Sequence, residues 1–421
     1  MSSGQCAAPS PERSPDTTEV IIAECELVLV SYRYRPEEVW GWPGGEYRGW
    51  TTAFLRVASD DGCEGIGEIG DGLNFPDAMQ PIVERLARVV VGRAARPRAL
   101  VAALERSAPG WGSGGLVSSV ISGIEIAVVD LLGKRLGVPA HAVLGGAYRD
   151  ELPAYASGGL STDPRELQKE LTGYVQAGYR AVKMRIGHGF DLDVRRVEAA
   201  REAVGPDVQL MLDFGASYLP EPPSLGYLVR LARRLEPFEP AWLEEPLPRQ
   251  DVAGHARLRR ETSIPIAAGE SERSLDNVLR MLDAEAIDIL QTDAVYVGGI
   301  LRQIEIGQLA GQAGVRLAPH TWGSGPGLMA AALTVACSPA GLVVEVPQVF
   351  NPLRDLTLAT PLRLVDGKLP VSQAPGLGVV LPDELRSWGY DPDAVPILHA
   401  AAPSAGHGNR ATPDEEAVQE S

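Results

Sequence analysis

Cysteine, histidine and positive charge are all in short supply in this chain of 421 residues. The four cysteines, Cys6, Cys25, Cys63 and Cys337, are scattered and form no CxxC pair. A structural zinc site is therefore not expected, and nothing argues for a disulfide framework in a chain this long. Lys and Arg number 38 against 55 Asp and Glu, a formal net charge of −17. Such a surface repels phosphate backbones, which argues against nucleic acid as a partner. The N-terminal stretch lacks the apolar core of a signal peptide, and no uninterrupted apolar run approaches the roughly 18 residues of a membrane span. The cytoplasm is the expected compartment, a homo-oligomer the expected assembly, and a membrane is not an expected partner.

What the chain does have is ordinary globular material: 45% apolar and 22% charged residues, enough for a sizeable core and long enough for two domains. Residues 1–17, rich in Ser, Pro and Gly, read as a disordered lead, and residues 400–421 as a disordered tail. Residues 18–148 open with strand-like segments at Val20–Tyr34, Thr51–Ser59 and Gly62–Ile69, the last two joined by Ser59-Asp60-Asp61-Gly62 as a hairpin. Helical patterns follow at Ala78–Gly92, Arg96–Arg106 and Leu116–Leu136, where Ile121, Ile124, Val128, Leu131 and Leu132 recur at spacings of three and four. Strands followed by helices predict an α+β domain.

Residues 149–370 alternate short apolar strands with helical stretches. Eight strands are expected, at Pro153–Gly158, Arg180–Ile186, Gln209–Phe214, Ala241–Pro246, Pro265–Gly269, Ile287–Thr292, Arg316–Pro319 and Leu342–Val346. That is the pattern of an α/β fold with a (β/α)8-type barrel. Residues 371–399 are read as a C-terminal return to the first domain.

The strand ends carry the chemistry. Strand two ends in Lys183-Met184-Arg185 and strand three in Asp213. Strand four ends in Glu244-Glu245, and strands five to eight end in Glu270, Asp293, His320 and Glu345. From Arg185 through Asp213, Glu244, Glu270, Asp293 and His320 to Glu345 the gaps are 28, 31, 26, 23, 27 and 25 residues, each about one βα unit. In a barrel these ends converge on one mouth, where barrel enzymes keep their sites. Unit charges about 4 Å apart repel by roughly 4 kcal/mol at an effective dielectric of 20, so the carboxylates need compensation. Asp213, Glu244 and Glu270 offer only oxygen donors, from three consecutive strands, which suits Mg²⁺ and disfavours zinc. Asp293 on the strand beside His320 would orient the imidazole and raise its basicity, as in a general-base dyad.

These residues resemble the mandelate racemase / muconate lactonizing enzyme branch of the enolase superfamily, over nearly all of residues 20–390. The helix from Ser122 to Lys134, the following Leu144-Gly-Gly146 and the ending Pro375-Gly-Leu-Gly378 are similar to that branch's recognisable segments. The resemblance implies an enolase-like modified barrel with an N-terminal α+β cap closing over its mouth. It implies Asp213, Glu244 and Glu270 as Mg²⁺ ligands, Asp293–His320 as the dyad of the mandelate racemase subgroup, and Glu345 as the acid meeting the substrate carboxylate or enolate. It also implies the superfamily's chemistry, a Lys or His base with Mg²⁺ stabilising an ene-diolate, which comes from the family and not from these spacings.

Two departures from the family pattern bear on the reaction. Lys183-Met184-Arg185 stands where Lys-x-Lys is common, and Asp213-Phe214-Gly215 where Asp-x-Asn is common. An arginine stays protonated, so Arg185 suits an electrostatic clamp better than a base. One base, His320, suffices for β-elimination, which favours an acid-sugar (aldonate or aldarate) dehydratase over a racemase. A sugar-lactone cycloisomerase of the same branch is the nearest rival, suggested by His320-Thr-Trp-Gly323 and Asn351-Pro-Leu353. A Schiff-base enzyme using Lys183 and a non-catalytic barrel are the readings from other classes.

Substrate selection is expected in the segment Tyr32–Trp50. Its Trp40 and Trp42, with Trp322 of the barrel, suit sugar C–H faces, and Arg33, Arg35 and Arg48 suit a second carboxylate. Gly41, Gly44 and Gly45 would let it move as a lid. The same aromatics read equally well as the packing of a strand edge.

Overall fold

A computed structural model describes residues 19–110, 114–219 and 221–398. The expected lead and tail, with Cys6, His399 and His407, lie outside the described residues. Of the remaining cysteines, Cys25 and Cys337 are free thiols. Cys63 is disulfide-bonded, against the expectation from the scattered spacing.

The cap begins with β1 (Ile22–Arg33), followed by the short β2 (Trp40–Trp42) and β3 (Gly45–Tyr47), then β4 (Gly49–Ser59) and β5 (Glu64–Ile69). Strands β1, β4 and β5 form an antiparallel sheet in that order. The β4–β5 turn closes at Gly62, whose φ of 82° is the left-handed region that glycine enters at no steric cost. Three helices, α1 (Met79–Val90), α2 (Pro97–Ser107) and α3 (Gly115–Leu136), cover the sheet, and a short α4 (Ala140–Val143) follows. Helix α3 lies directly on β5: a Cβ at Gly65 or Gly67 would come 2.0 Å from the Ala127 or Gly123 carbonyl oxygen. By length and composition α3 could cross a membrane, but 78% of its apolar window is buried inside the fold. Its all-round apolarity reflects a position between sheet and barrel.

The barrel strands are β6 (Glu151–Gly158), β7 (Ala181–Arg185), β8 (Gln209–Asp213), β9 (Trp242–Glu244), β10 (Ile266–Ala268), β11 (Ile289–Leu290), β12 (Arg316–Leu317) and β13 (Val344–Pro347). The helices between them are α5 (Pro164–Gln176), α6 (Phe190–Val204), α7 (Leu225–Leu235), α8 (Val252–Glu261), α9 (Leu275–Asp283), α10 (Ile300–Gln312) and α11 (Gly325–Cys337). The strands run parallel in the order β12-β11-β10-β9-β8-β7-β6-β13. A single parallel bridge, Leu317 to Gly341, brings the two ends of this sheet together. Side chains from all eight strand positions fill the lumen, among them Tyr155, Met211, Trp242 and Ile289. This packed plug is the floor on which the polar residues stand.

Past β13 the eighth helical unit is cut short to α12 (Pro352–Leu356), and β14 (Lys368–Pro370) pairs antiparallel with β6. The chain then returns to the cap. Leu377 N donates to Asp130 of α3 at 2.8 Å, and α13 (Asp383–Trp388) packs on β1. The final strand β15 (Ile397–Leu398) pairs with β3, so the β2–β3 hairpin becomes a three-stranded sheet.

The cap also pins the loops that follow β11 and β12. Ser118 and Ser119 of α3 donate to the Tyr296 and Val295 carbonyls. Glu125 accepts from Ile300 N at 2.8 Å and Leu301 N at 3.1 Å, satisfying free donors at the start of α10. Glu68 of β5 does the same for α11, accepting from Ser324 N, Ser324 Oγ and Gly327 N.

Candidate active site

Strand geometry brings the predicted ends together. Alternation along a parallel strand aims every second side chain into the barrel: Lys183, Asp213, Glu244, Asp293, His320 and Glu345 continue the inward rows of Ala181, Met211, Trp242, Ile289, Ala318 and Val343, while Glu270 falls one residue out of step, after Gly269 at φ 120°. Oxygen atoms of Asp213, Glu244 and Glu270 all lie within 4.8 Å of one another, and all three residues are buried. Lys183 Nζ sits 2.5 Å from Glu244, 2.8 Å from Glu345 and 3.3 Å from Asp213. Arg185 Nη1 is 2.6 Å from Asp213. The second oxygen of Glu244 accepts from Trp242 Nε1 at 2.9 Å and Gln291 Nε2 at 2.8 Å, so the plug beneath the site orients this carboxylate.

Three buried carboxylates with no thiol or imidazole among them make a hard-oxygen donor set of the kind that suits a divalent cation such as Mg²⁺. Glu245, the neighbour of Glu244, is turned aside: its φ is 43° and its Oε1 accepts from Gly269 N at 2.7 Å. Burial first, then the nearby Glu270 charge, push its carboxyl well above the usual range.

The dyad forms across β11 and β12. His320 Nδ1 is 3.1 Å from Asp293 Oδ2, and Nε2 faces Glu270 at 3.9 Å. An acceptor at Nδ1 sets the tautomer, leaving Nε2 to exchange protons with a ligand. Burial favours the neutral ring, but the Glu270 charge and the Asp293 hydrogen bond outweigh it and raise the imidazole to about 10; a divalent cation on Glu270 would cancel the larger of these two causes and leave Nε2 able to act as a base. Glu345 accepts from Thr321 N at 2.8 Å. Burial opposes its charge, yet the Lys183 ammonium holds it down at about 2. Burial would also favour neutral Lys183, but Glu244 and Glu345 hold it well above its ordinary range. A Schiff-base lysine must be neutral to attack a carbonyl, and Lys183 is not poised for that role.

The two departures on strands two and three prove to be one feature. Gly215 is left-handed, at φ 59° and ψ 41°. A Cβ there would sit 2.5 Å from Arg185 Nη1. The missing side chain is the space the guanidinium occupies, and Arg185 also lies over the Trp42 ring at 4.8 Å.

The mouth above the dyad is lined by Trp40, Trp42, Tyr47 and Trp322, and further by Leu73, Asn74, Leu160, Tyr218 and Tyr296. Trp40 stacks on Tyr47 at 4.2 Å, and Trp322 Nε1 donates to the Tyr47 hydroxyl at 3.0 Å. The lid hairpin is therefore both a strand edge and the pocket wall. Arg48 does not join it: its side chain is 57% exposed and paired with Glu46. Arg33 pairs with Asp391 and Asp393, and Arg35 with Glu38, both at the surface. The expectation of a lid arginine clamp for a second carboxylate is corrected accordingly: each of these arginines is turned to a surface carboxylate instead of the pocket.

Sequence reasoning missed Tyr218, Tyr296, Gln291 and Asn74. The two tyrosines follow Asp213 and Asp293 by five and three residues, so extending the strand-end rule into the next turn would have found them. Nothing local marks Asn74, which arrives from the cap.

Two family descriptions match the chain: "Enolase C-terminal domain-like" over residues 166–385 and "Mandelate racemase / muconate lactonizing enzyme, N-terminal domain" over residues 48–145. The chain belongs to this family, the mandelate racemase / muconate lactonizing branch of the enolase superfamily. It is similar to a D-galactarolactone cycloisomerase of Agrobacterium fabrum, 32% identical over 77% of this chain and 88% of the relative. It is also similar to an arabinonate dehydratase of Saccharolobus solfataricus, 30% identical over 78% of this chain and 87% of that one. Among solved structures, an enolase-superfamily protein from Bradyrhizobium complexed with magnesium and mandelic acid superposes with a TM-score of 0.78 at 28% identity, covering 89% of this chain and 99% of that chain.

Proposed function

We propose that this protein is a Mg²⁺-dependent lyase that removes the proton α to the carboxylate of an acid sugar and expels the β-hydroxyl as water. The observation that carries the reading is one imidazole–carboxylate dyad facing a buried carboxylate triad, with Arg185 and no second base opposite among the described residues. Asp213, Glu244 and Glu270 are the ligands for the cation, and the related Bradyrhizobium structure bound magnesium. A cation held there supplies positive charge opposite the substrate carboxylate as the α-carbon loses its proton.

The rest is the work of this chain's own side chains. Asp293 fixes Nδ1–H of His320, and Nε2 takes the α-proton. Lys183, an ammonium beside Glu345, meets the growing negative charge on the carboxylate oxygens. The proton now on Nε2 passes to the β-hydroxyl, the C–O bond breaks and water leaves; the enol left behind tautomerises to a 2-keto acid. Arg185 keeps its charge and acts as a clamp, which disfavours two-base racemisation. The arabinonate dehydratase relative supports this outcome.

The second reading is a cycloisomerase, supported by the Agrobacterium relative. It shares the proton removal and differs only in expelling a ring oxygen. The protein acts on a small carboxylate as a cytoplasmic homo-oligomer in either reading. The test is a panel of acid sugars and lactones with Mg²⁺, read for keto-acid formation and for solvent deuterium entering Cα. Chelation abolishes both signals, and His320→Asn removes them while the melting transition persists. Turnover undiminished in EDTA would refute the metal assignment, and full activity of His320→Asn the choice of base.

A further inference from the structure

We infer that the acid accepted by this pocket is a monocarboxylate with an uncharged, C–H-rich far end, and that open-chain dicarboxylates are rejected. This rests on the proton-abstraction reading only for which end of the substrate meets the dyad. That end is supplied with cations: Lys183 lies at the base of the site, and Arg185 is tied to Asp213 at 2.6 Å. The remainder of the pocket is a different medium. Six aromatic rings and two leucines line it, and Arg185 is the one permanent cation among the described lining residues.

The other arginines nearby are spent elsewhere. Arg273 stacks on Tyr296, one of the lining residues, 4.3 Å from the ring centroid. It gives Nε and Nη2 to Asp71 at 3.0 and 2.6 Å, and Nη1 to the Ser271 carbonyl at 2.7 Å. Three of its five N–H groups are held in this way, and Arg273 is not among the residues that line the pocket. Arg48 is on the outer face of the lid, paired with Glu46. A second carboxylate at the far end would lose its hydration against Trp and Leu side chains with no cation to replace it, which is unfavourable. A sugar chain ending in a primary alcohol meets the same wall well, because its C–H faces lie on aromatic rings while Asn74 and Tyr296 offer polar groups to its hydroxyls.

The test compares ligands that differ only at the far end. With Mg²⁺ present, calorimetry gives the dissociation constants of 2-hydroxyhexanoate and 2-hydroxyadipate, and kinetics compares galactonate with galactarate and gluconate with glucarate. Expected are at least tenfold tighter binding of 2-hydroxyhexanoate and, for whichever pair is turned over, at least a hundredfold higher kcat/KM for the monocarboxylate. Arg48→Ala leaves both binding constants within twofold. Equal or tighter binding of 2-hydroxyadipate, no binding of 2-hydroxyhexanoate, preferred turnover of an aldarate, or loss of dicarboxylate binding in Arg48→Ala each overturns the inference. If solvent deuterium enters Cα of no acid, the proposed reaction fails, while the binding ratio still decides this inference separately.

Discussion

Filling the space at Gly215 is a sharp test of how the mouth is built. In Gly215→Ala the new methyl group would sit 2.5 Å from Arg185 Nη1, and the backbone is left-handed at φ 59°. The backbone alone costs a non-glycine residue roughly 1–2 kcal/mol, which should lower Tm by a few degrees. The clash is relieved most easily at the far end of the arginine, so the guanidinium moves and its contact with Asp213 is lost. A hydrogen bond between charged groups is worth about 1.5–3 kcal/mol, so kcat/KM should fall about 10- to 100-fold. The companion is Arg185→Lys, whose compact ammonium has no second nitrogen to meet the methyl group. Activities of the wild type, both single variants and the double variant close a double-mutant cycle. The double variant should lose less than the sum of the singles by about 1 kcal/mol or more, as expected for residues in contact. Strict additivity, or a Gly215→Ala enzyme with unchanged Tm and kcat/KM, would refute the reasoning.

Two further predictions concern the carboxylates that dock cap on barrel. Burial outweighs the two backbone donors of Glu125 and raises its carboxyl to about 7. A raised acid holds its proton longer in the folded state, so stability falls as pH climbs from about 4.5 towards 7, by up to about 3 kcal/mol; urea melts of Glu125→Gln should show that slope removed, and an unchanged slope would contradict it. Glu68 fixes the start of α11 just after His320. Glu68→Ala should leave Ser324 and Gly327 N–H unpaired, cost about 1–3 kcal/mol in stability, and lower kcat more than it raises KM. A purely thermal effect with wild-type kcat would show that Glu68 does not position the dyad.

Much of this was legible in the sequence because βα units have a nearly constant length. The polar residue closing each apolar strand is visible as a residue, and its convergence on one mouth follows from barrel closure. Lys183, Arg185, Asp213, Glu244, Glu270, Asp293, His320 and Glu345 were all named on that ground, and the structure gathers them. The aromatic residues of the lid were visible as composition, though not which of them faced inward. Arg48 and Trp42 stand six residues apart, and only the pairing of β2, β3 and β15 decides that one faces water and the other Arg185.

What the sequence alone determined is thus the barrel, its strand ends and the chemical kind of its donors, because those depend on period-two alternation and repeat length. The tertiary structure decided the rest. It turned Glu245 away from the triad beside its neighbour, fitted Arg185 into the space left at Gly215, and brought Glu68 and Glu125 across 256 and 175 residues of chain to the starts of α11 and α10. These choices depend on backbone angles beyond the strand ends and on contacts distant in sequence, where neither periodicity nor composition carries information.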